Sequence, residues 1–326
     1  MIKRNLIKRV MAAGAIMAVT LSLAGCGIGG SSVKLGAAGV GGGYYAFSNA
    51  FAQIASSEDE DLDFEVKVTA GSTANIRLLS DGYVDMAIAQ ADLVDAAYNG
   101  TGATDKKRYR GYSAVASLYT EACQIVVRAD SGIDNLDDLQ GKKISVGEEE
   151  SGTQRNAEQI LQMTGLVESL VDTVNLDYVD AANELKSGQI DAFFCTAGIQ
   201  TSVIEELSKE CDVKLIGIDD KCRDRLKSVY GFYTDYTIPA GTYEGQDQDV
   251  ETLGVRAVLL ARDDMDEEIV EELTGLLFEH SQDIQYSIPL TFQIDESEAV
   301  KNVTIPFHDG AKAYYQKKGI EIPAEQ

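Results

Sequence analysis

Six residues, Gly39–Tyr44 (GVGGGY), contain four glycines and join two patterned segments. Before them Val33–Ala38 reads as a short apolar strand. After them Phe47, Ala50, Phe51 and Ile54 recur at helical spacing. A strand, a glycine loop and a helix start together aim backbone N–H groups at an anion or a polar ligand. Glycine lets that ligand come close to the backbone. The chemistry implied is binding, and two sharper forms of it fail. A dinucleotide fingerprint needs glycine where Tyr44 stands, and the Gly-Lys-Ser/Thr of a phosphate-binding P-loop is absent. A tight turn with no ligand remains the plain alternative.

Other small polar residues fall at the ends of predicted strands: Ser72, Thr73 and Asn75; Gln90 and Asp92; Ser151, Gly152 and Thr153 with Asn156; and Thr196, Ala197 and Gly198. Such a set hydrogen-bonds well and reacts poorly. No nucleophile–base pair, zinc motif, carboxylate dyad or C-x-x-C appears in the sequence, so neither metal nor cofactor is expected and binding is favoured over catalysis. Arg155, in the first turn of a predicted helix, could clamp a carboxylate or pair with the glutamates before it. Arg77 lies mid-helix and reads as structural. Asp92 could hold a ligand amine or cap its own helix. Tyr44 and Tyr45 could each stack on a ligand or join the core. His280 and His308 lack metal spacing and read as structural.

These residues must be positioned by alternating strands and helices, which the sequence supplies twice. Leu79–Ala87 (LSDGYVDMA) is echoed by Leu185–Phe193 (LKSGQIDAF), with leucine, glycine and aspartate in register. Upstream, Lys34-Leu35 before Gly42-Gly43 parallels Lys143–Val146 before Ser151–Thr153. The pattern predicts an α/β protein of two like lobes with a cleft between them, outside the strand ends. Gln124–Arg128 and Leu253–Leu260 are the candidate crossing strands. Lobe I is expected to take residues 33–124 and 256–326, and lobe II residues 125–255. Expected helices include Thr153–Met163, Ala181–Lys186 and Asp264–His280, with Ser72 or Thr73 capping another and Tyr178 on a strand.

The N-terminus carries a basic start (Lys3, Arg4, Lys8, Arg9) and an apolar run, Val10–Leu23, too short for a comfortable membrane span. It ends in Leu23-Ala24-Gly25-Cys26, which resembles the lipobox of bacterial lipoproteins. Residues 1–25 are thus expected to be a signal peptide, Cys26 the lipidated anchor and residues 26–32 a flexible tether. The chain's formal charge is −25, and the basic leader makes the remainder more acidic still. That surface disfavours nucleic acid as a partner. Cys211 and Cys222 are the one close cysteine pair and could form a disulfide in an exported protein, whereas Cys123 and Cys195 sit in apolar strands and read as buried thiols.

GGGYYAFSNAFAQ, GSTANIRLLSDGYVDMAIAQAD, CQIVVRADSGIDNLDDLQGKKISVGEEESGT, TIPAGTYEGQDQDVETLGV and IPFHDGAKAYYQKKGI together span nearly the whole mature sequence. In these pieces the chain resembles the TAXI-type solute-binding proteins of tripartite (TRAP) transporters. The resemblance implies a two-lobed, type II periplasmic-binding-protein fold that closes on a small, usually carboxylate-bearing solute; a monomer hinged by the two crossing strands is expected. It also implies delivery to a separate TRAP permease in the membrane. It puts the solute against Gly42, Gly43, Tyr44, Ser72, Thr73, Asn75, Gln90, Asp92, Ser151, Gly152, Thr153 and Thr196–Gly198. Glu148-Glu149-Glu150 depart from the family's pattern toward acidity, and Asp309 replaces a usual proline. A sensor subunit for a receptor kinase and an enzyme on the same fold are the rival expectations.

Overall fold

The computed structural model describes residues 32–323, apart from 61, 103–104, 168 and 289–293. The basic leader and the Cys26 motif lie outside the described residues. From its start the described chain alternates strand and helix: β1 (Ser32–Gly36), α1 (Gly43–Glu58), β2 (Asp63–Lys67), α2 (Ser72–Ser80), β3 (Met86–Gln90), α3 (Ala91–Asn99) and the long strand β4 (Tyr112–Arg128). The alternation then repeats through β5 (Lys143–Ser145), α4 (Gly152–Thr164), β6 (Asp172–Val174), α5 (Tyr178–Ser187), β7 (Ala192–Ala197), α6 (Ser202–Glu210), β8 (Val213–Leu215), α7 (Asp220–Val229) and β9 (Thr234–Ile238). A second long strand, β10 (Val250–Arg262), leads back to α8 (Glu267–Glu279), α9 (Ser281–Ser287) and α10 (Asp309–Lys318).

The strands order as β2-β1-β3-β10-β4-β7-β5-β6. That order is a near-palindrome about the β10–β4 pair. On one side β1 runs parallel to β2 and β3; on the other β5 runs parallel to β6 and β7. Both inner strands meet the central pair antiparallel. β3 (MAIAQ) and β7 (AFFCTA) are buried along their whole length, as strands covered on both faces must be, which is why they read as unbroken apolar runs.

The repeated sequence produces repeated geometry. Asp85 Oδ2 accepts from the Lys34 N–H at 2.9 Å, and Asp191 Oδ2 accepts from the Lys143 N–H at 2.9 Å. Each aspartate fastens the start of its strand to the strand beside it. Gly82 and Gly188 hold φ of 74° and 75°, a left-handed turn that suits glycine. Arg262, at the end of β10, reaches the Gly82 carbonyl, and Arg128, at the end of β4, reaches the Leu185 carbonyl.

The apolar core parts in the same way. Leu35, Phe47, Phe51, Ile88, Tyr112, Leu259 and Tyr315 belong to one buried cluster. Ile125, Ile144, Ile160, Phe194 and Val255 belong to a second, extended by a third around Phe193, Leu185 and Ile204. Along β4 the change falls between Tyr119 and Cys123, and along β10 between Val255 and Ala257. The two long strands therefore carry the chain between two packed lobes. Their pairing is irregular near that change, with a register shift between Arg256 and Val258.

Several expectations are corrected. Tyr178 opens a helix, because the Asp177 side chain accepts from the Asp180 N–H at 2.8 Å and caps it. The cap of α2 is Gly71, one residue before the expected Ser72 or Thr73. Helix α8 starts after Asp266, whose carboxylate takes the Glu268 and Ile269 N–H groups, later than the expected Asp264. Cys211 and Cys222 are free thiols and no disulfide joins them. His308, read as structural, does have a structural role: it caps α10, accepting from the Gly310 N–H at 3.2 Å.

Candidate functional site

Each lobe turns helix starts toward the seam. Helix α1 begins at Gly43, and its cap residue Gly42 has no side chain to occupy the first N–H groups. In α2 the cap Gly71 stands at φ 119°, a conformation that L side chains rarely adopt, directly opposite Ser151 of the other lobe. Helix α4 is capped by Ser151, which accepts from the Gln154 N–H at 2.9 Å, and α5 by Asp177. The positive ends of α1 and α4 thus approach one space.

That space is a partly open cavity of about 40 Å³ between the lobes. Lobe I lines it with the glycine loop, Tyr44, Ala70–Ser72, Gln90 and Glu121. Lobe II lines it with Glu148, Ser151–Thr153, Asp177, Tyr178 and Thr196. Among its lining residues there is no lysine, arginine or histidine.

Glu121 lies on β4 where that strand passes between lobes and is 2% exposed. Its Oε2 accepts from the Tyr44 hydroxyl at 2.6 Å. Loss of water pushes its carboxyl up to about 8, against the opposing pull of hydrogen bonds from Tyr44 and Gln90. Burial, with Asp177 nearby, also raises Glu148 above the ordinary carboxylate range. On the facing wall the hydroxyls of Thr153 and Tyr178 lie 2.6 Å apart, and the Thr153 hydroxyl also accepts from the Thr196 N–H at 3.2 Å. Tyr178 donates to the Thr196 carbonyl at 3.1 Å.

The seam is closed by direct contacts between lobes. Gln90 Nε2 donates to Asn156 Oδ1 at 3.0 Å, and Asn156 Nδ2 donates to the Tyr233 hydroxyl at 2.8 Å. Arg77 takes both carboxylate oxygens of Glu150, at 3.1 and 2.7 Å. The Glu150 carbonyl accepts from the Thr73 and Ala74 N–H groups at 3.1 and 3.2 Å. The N-terminus of α2 is thereby filled by the other lobe.

Of the residues singled out from sequence, Gly42, Gly43, Tyr44, Ser72, Gln90, Ser151, Gly152, Thr153 and Thr196 line the cavity. Asn75 is buried behind the wall and donates to the carbonyls of Ala37 and Ile88 at 2.5 and 2.8 Å, pinning β1 to β3. Asn156 stands in the seam. Thr73, Asp92 and Arg155 line a separate groove of about 580 Å³ on one flank. There Arg155 approaches Glu158 at 3.8 Å, and it is Arg77 that pairs with Glu150. Asp92, in the first turn of α3, is pushed up to about 6 by loss of water. Ala197 is buried at the end of β7, and neither it nor Gly198 reaches the cavity. Tyr45 faces the opposite flank. Glu121 and Tyr178 were missed. The first is a lone acid inside an apolar strand, and the second was placed on the wrong element; no sequence signal marked either.

A cavity walled by two like α/β lobes, with two strands crossing between them, defines the two-lobed fold of the periplasmic binding proteins. The chain belongs to the NMT1-like family, matched over residues 35–319. Solved structures agree on the fold. The MatC protein of Rhodopseudomonas palustris with bound malate is 14% identical with a TM-score of 0.57, over 82% of this chain and 91% of that one. A structure from Bordetella bronchiseptica is 16% identical with a TM-score of 0.57, over 88% and 98%. Another, described as a periplasmic transporter, is 14% identical with a TM-score of 0.56, over 90% and 98%. Among the described residues no helix is long and apolar enough to cross a membrane, and no group of three or more His, Cys, Asp or Glu is placed to hold a metal ion.

Proposed function

We propose that this chain is an extracytoplasmic solute-binding lipoprotein of the TAXI type, anchored through Cys26, that captures a small carboxylate-bearing solute and delivers it to a TRAP permease. The carrying observation is the cavity between the lobes, whose walls come from both. A solute held there joins the lobes and shifts an open–closed equilibrium. The first-turn N–H groups of α1 and α4 supply donors for its carboxylate, which no side-chain cation in the cavity would otherwise hold. Lobe I takes residues 33–124 and 256–326 and lobe II residues 125–255; the change of buried cluster, between Tyr119 and Cys123 on β4 and between Val255 and Ala257 on β10, supports a division within a few residues of these bounds. The malate in MatC is an example of a small carboxylate held by a protein of similar fold.

The test is mass spectrometry of small molecules released from the purified, denatured chain, followed by a thermal-shift panel of amino acids and organic acids. A single stoichiometric carboxylic acid that raises the melting temperature supports the reading. A released compound that lacks any acidic group, and stabilises the protein, defeats the carboxylate assignment.

A further inference from the structure

We infer that the solute carries a protonated nitrogen, and that Glu121 with Gln90 is the pair that receives it. The inference rests on the reading of the cavity as the solute site. Glu121 is 2% exposed, lines that cavity and has Tyr44 as its hydrogen-bonded neighbour at 2.6 Å. An ionised carboxylate so placed is costly to hold without a counter-charge. Among the described residues no basic side chain lines the cavity, while Glu148 and Asp177 add two further acids to its wall.

Gln90 gives an independent sign. It is 2% exposed and lines the same cavity. Its Nε2 donates to Asn156 Oδ1 at 3.0 Å, and its Oε1 has no hydrogen-bond partner among the described residues. An unpaired buried acceptor beside a buried carboxyl asks for a group with several donors and a positive charge, and a protonated amine is such a group. A solute with only carboxylates would bring more negative charge to a cavity that already holds three acids. The first-turn N–H groups of α1 and α4 suit one carboxylate, so a molecule with both groups, such as an amino acid, satisfies both walls.

The burial of Glu121 is consistent with this. With the cavity empty its carboxyl is raised to about 8, so near neutral pH it keeps a proton. An arriving ammonium favours the carboxylate, and the displaced proton leaves to solvent.

The experiment is calorimetry with the purified full chain and its Glu121→Gln variant. The ligands are matched pairs: L-alanine and propionate, L-serine and 3-hydroxypropionate, L-glutamate and glutarate, with ethylamine and putrescine as amines that have no carboxylate. The expected result is that an amino acid binds at least about tenfold tighter than its nitrogen-free counterpart. Glu121→Gln should cost that amino acid about thirtyfold or more and change the counterpart by less than about threefold. Nitrogen-free acids binding the wild type as tightly as amino acids, or an amino acid indifferent to Glu121→Gln, overturns the inference and leaves the transport reading in place. Tight binding of the bare amines, sensitive to Glu121→Gln, keeps the inference and removes the carboxylate from the reading.

Discussion

Glu121 and Tyr44 are 77 residues apart in sequence and 2.6 Å apart in space. Neither residue type nor spacing announces that meeting. Glu121 sits in YSAVASLYTEACQIVVR, a strand otherwise dominated by buried residues, where a lone acid carries no pattern. The glycine loop was legible because its composition has one physical use, close backbone approach. The buried acid was not, because its use depends on where another lobe closes over it. Its burial makes stability depend on pH. The folded carboxyl is raised to about 8, while an unfolded glutamate titrates near 4.3. Between those values the folded empty protein binds the extra proton, so stability falls as pH rises through that window. Tyr44 and Gln90 hydrogen-bond the group and Asp92 acts on it from α3, while Glu148 and Asp177 share its cavity. Glutamine cannot titrate. Glu121→Gln is therefore expected to gain on wild type by about 3.5 kcal/mol between pH 5 and pH 8. Urea unfolding at the two pH values, without ligand, measures it; an equal difference at both would show that Glu121 does not titrate in this window.

Helix starts do most of the positioning, and their legibility varied with what caps them. Ser151 caps α4 as a serine should, and that end was placed to within a residue. Gly71 caps α2 with no side chain at all, and its N–H groups are met by Glu150 from the other lobe, which no local pattern could predict. Asn75 looked like a ligand residue because it shares a loop with Ser72, yet helical spacing turns it inward to the strand carbonyls. Gly152, at the head of α4, makes an element-scale test. A Cβ there would sit 2.5 Å from the Gln90 side-chain amide, whose contact with Asn156 joins the lobes. Alanine suits a helix better than glycine, so Gly152→Ala should leave each lobe folded. It should push the Gln90 amide aside and hinder closure, weakening solute binding by about tenfold or more. Calorimetry with the identified solute, beside a thermal melt of the empty protein, separates the two effects. Undiminished affinity would mean that Gln90 yields at no cost.

At the scale of the molecule, two cores joined by two crossing strands suit a hinge opening of the seam, the motion the proposed function uses. The repeat of LSDGYVDMA in LKSGQIDAF made the two-lobe plan readable, since both copies build the same aspartate fastening. The seam itself was unreadable, because its contacts join loops that neither repeat specifies. Its outer clasp is Glu150. This residue holds φ 65°, uncommon for a residue with a side chain. The N–H of Glu150 donates to Gln154 Oε1 at 3.1 Å, its carbonyl accepts from α2, and its carboxylate takes Arg77. The ion pair is more than one-third exposed on each side, so solvent screening holds it below about 1 kcal/mol. That suffices to bias a closure equilibrium severalfold without dictating it. Arg77→Ala should therefore open the empty protein, seen as a larger radius of gyration in small-angle scattering, while leaving the cavity walls untouched. The solute should then dissociate about three- to fivefold faster, because the clasp steadies the closed form that must open before release. High salt should reduce the difference between wild type and variant, as it does for any exposed ion pair. Equal dissociation rates at low salt would show that closure is set by the solute and the Gln90–Asn156 contact alone.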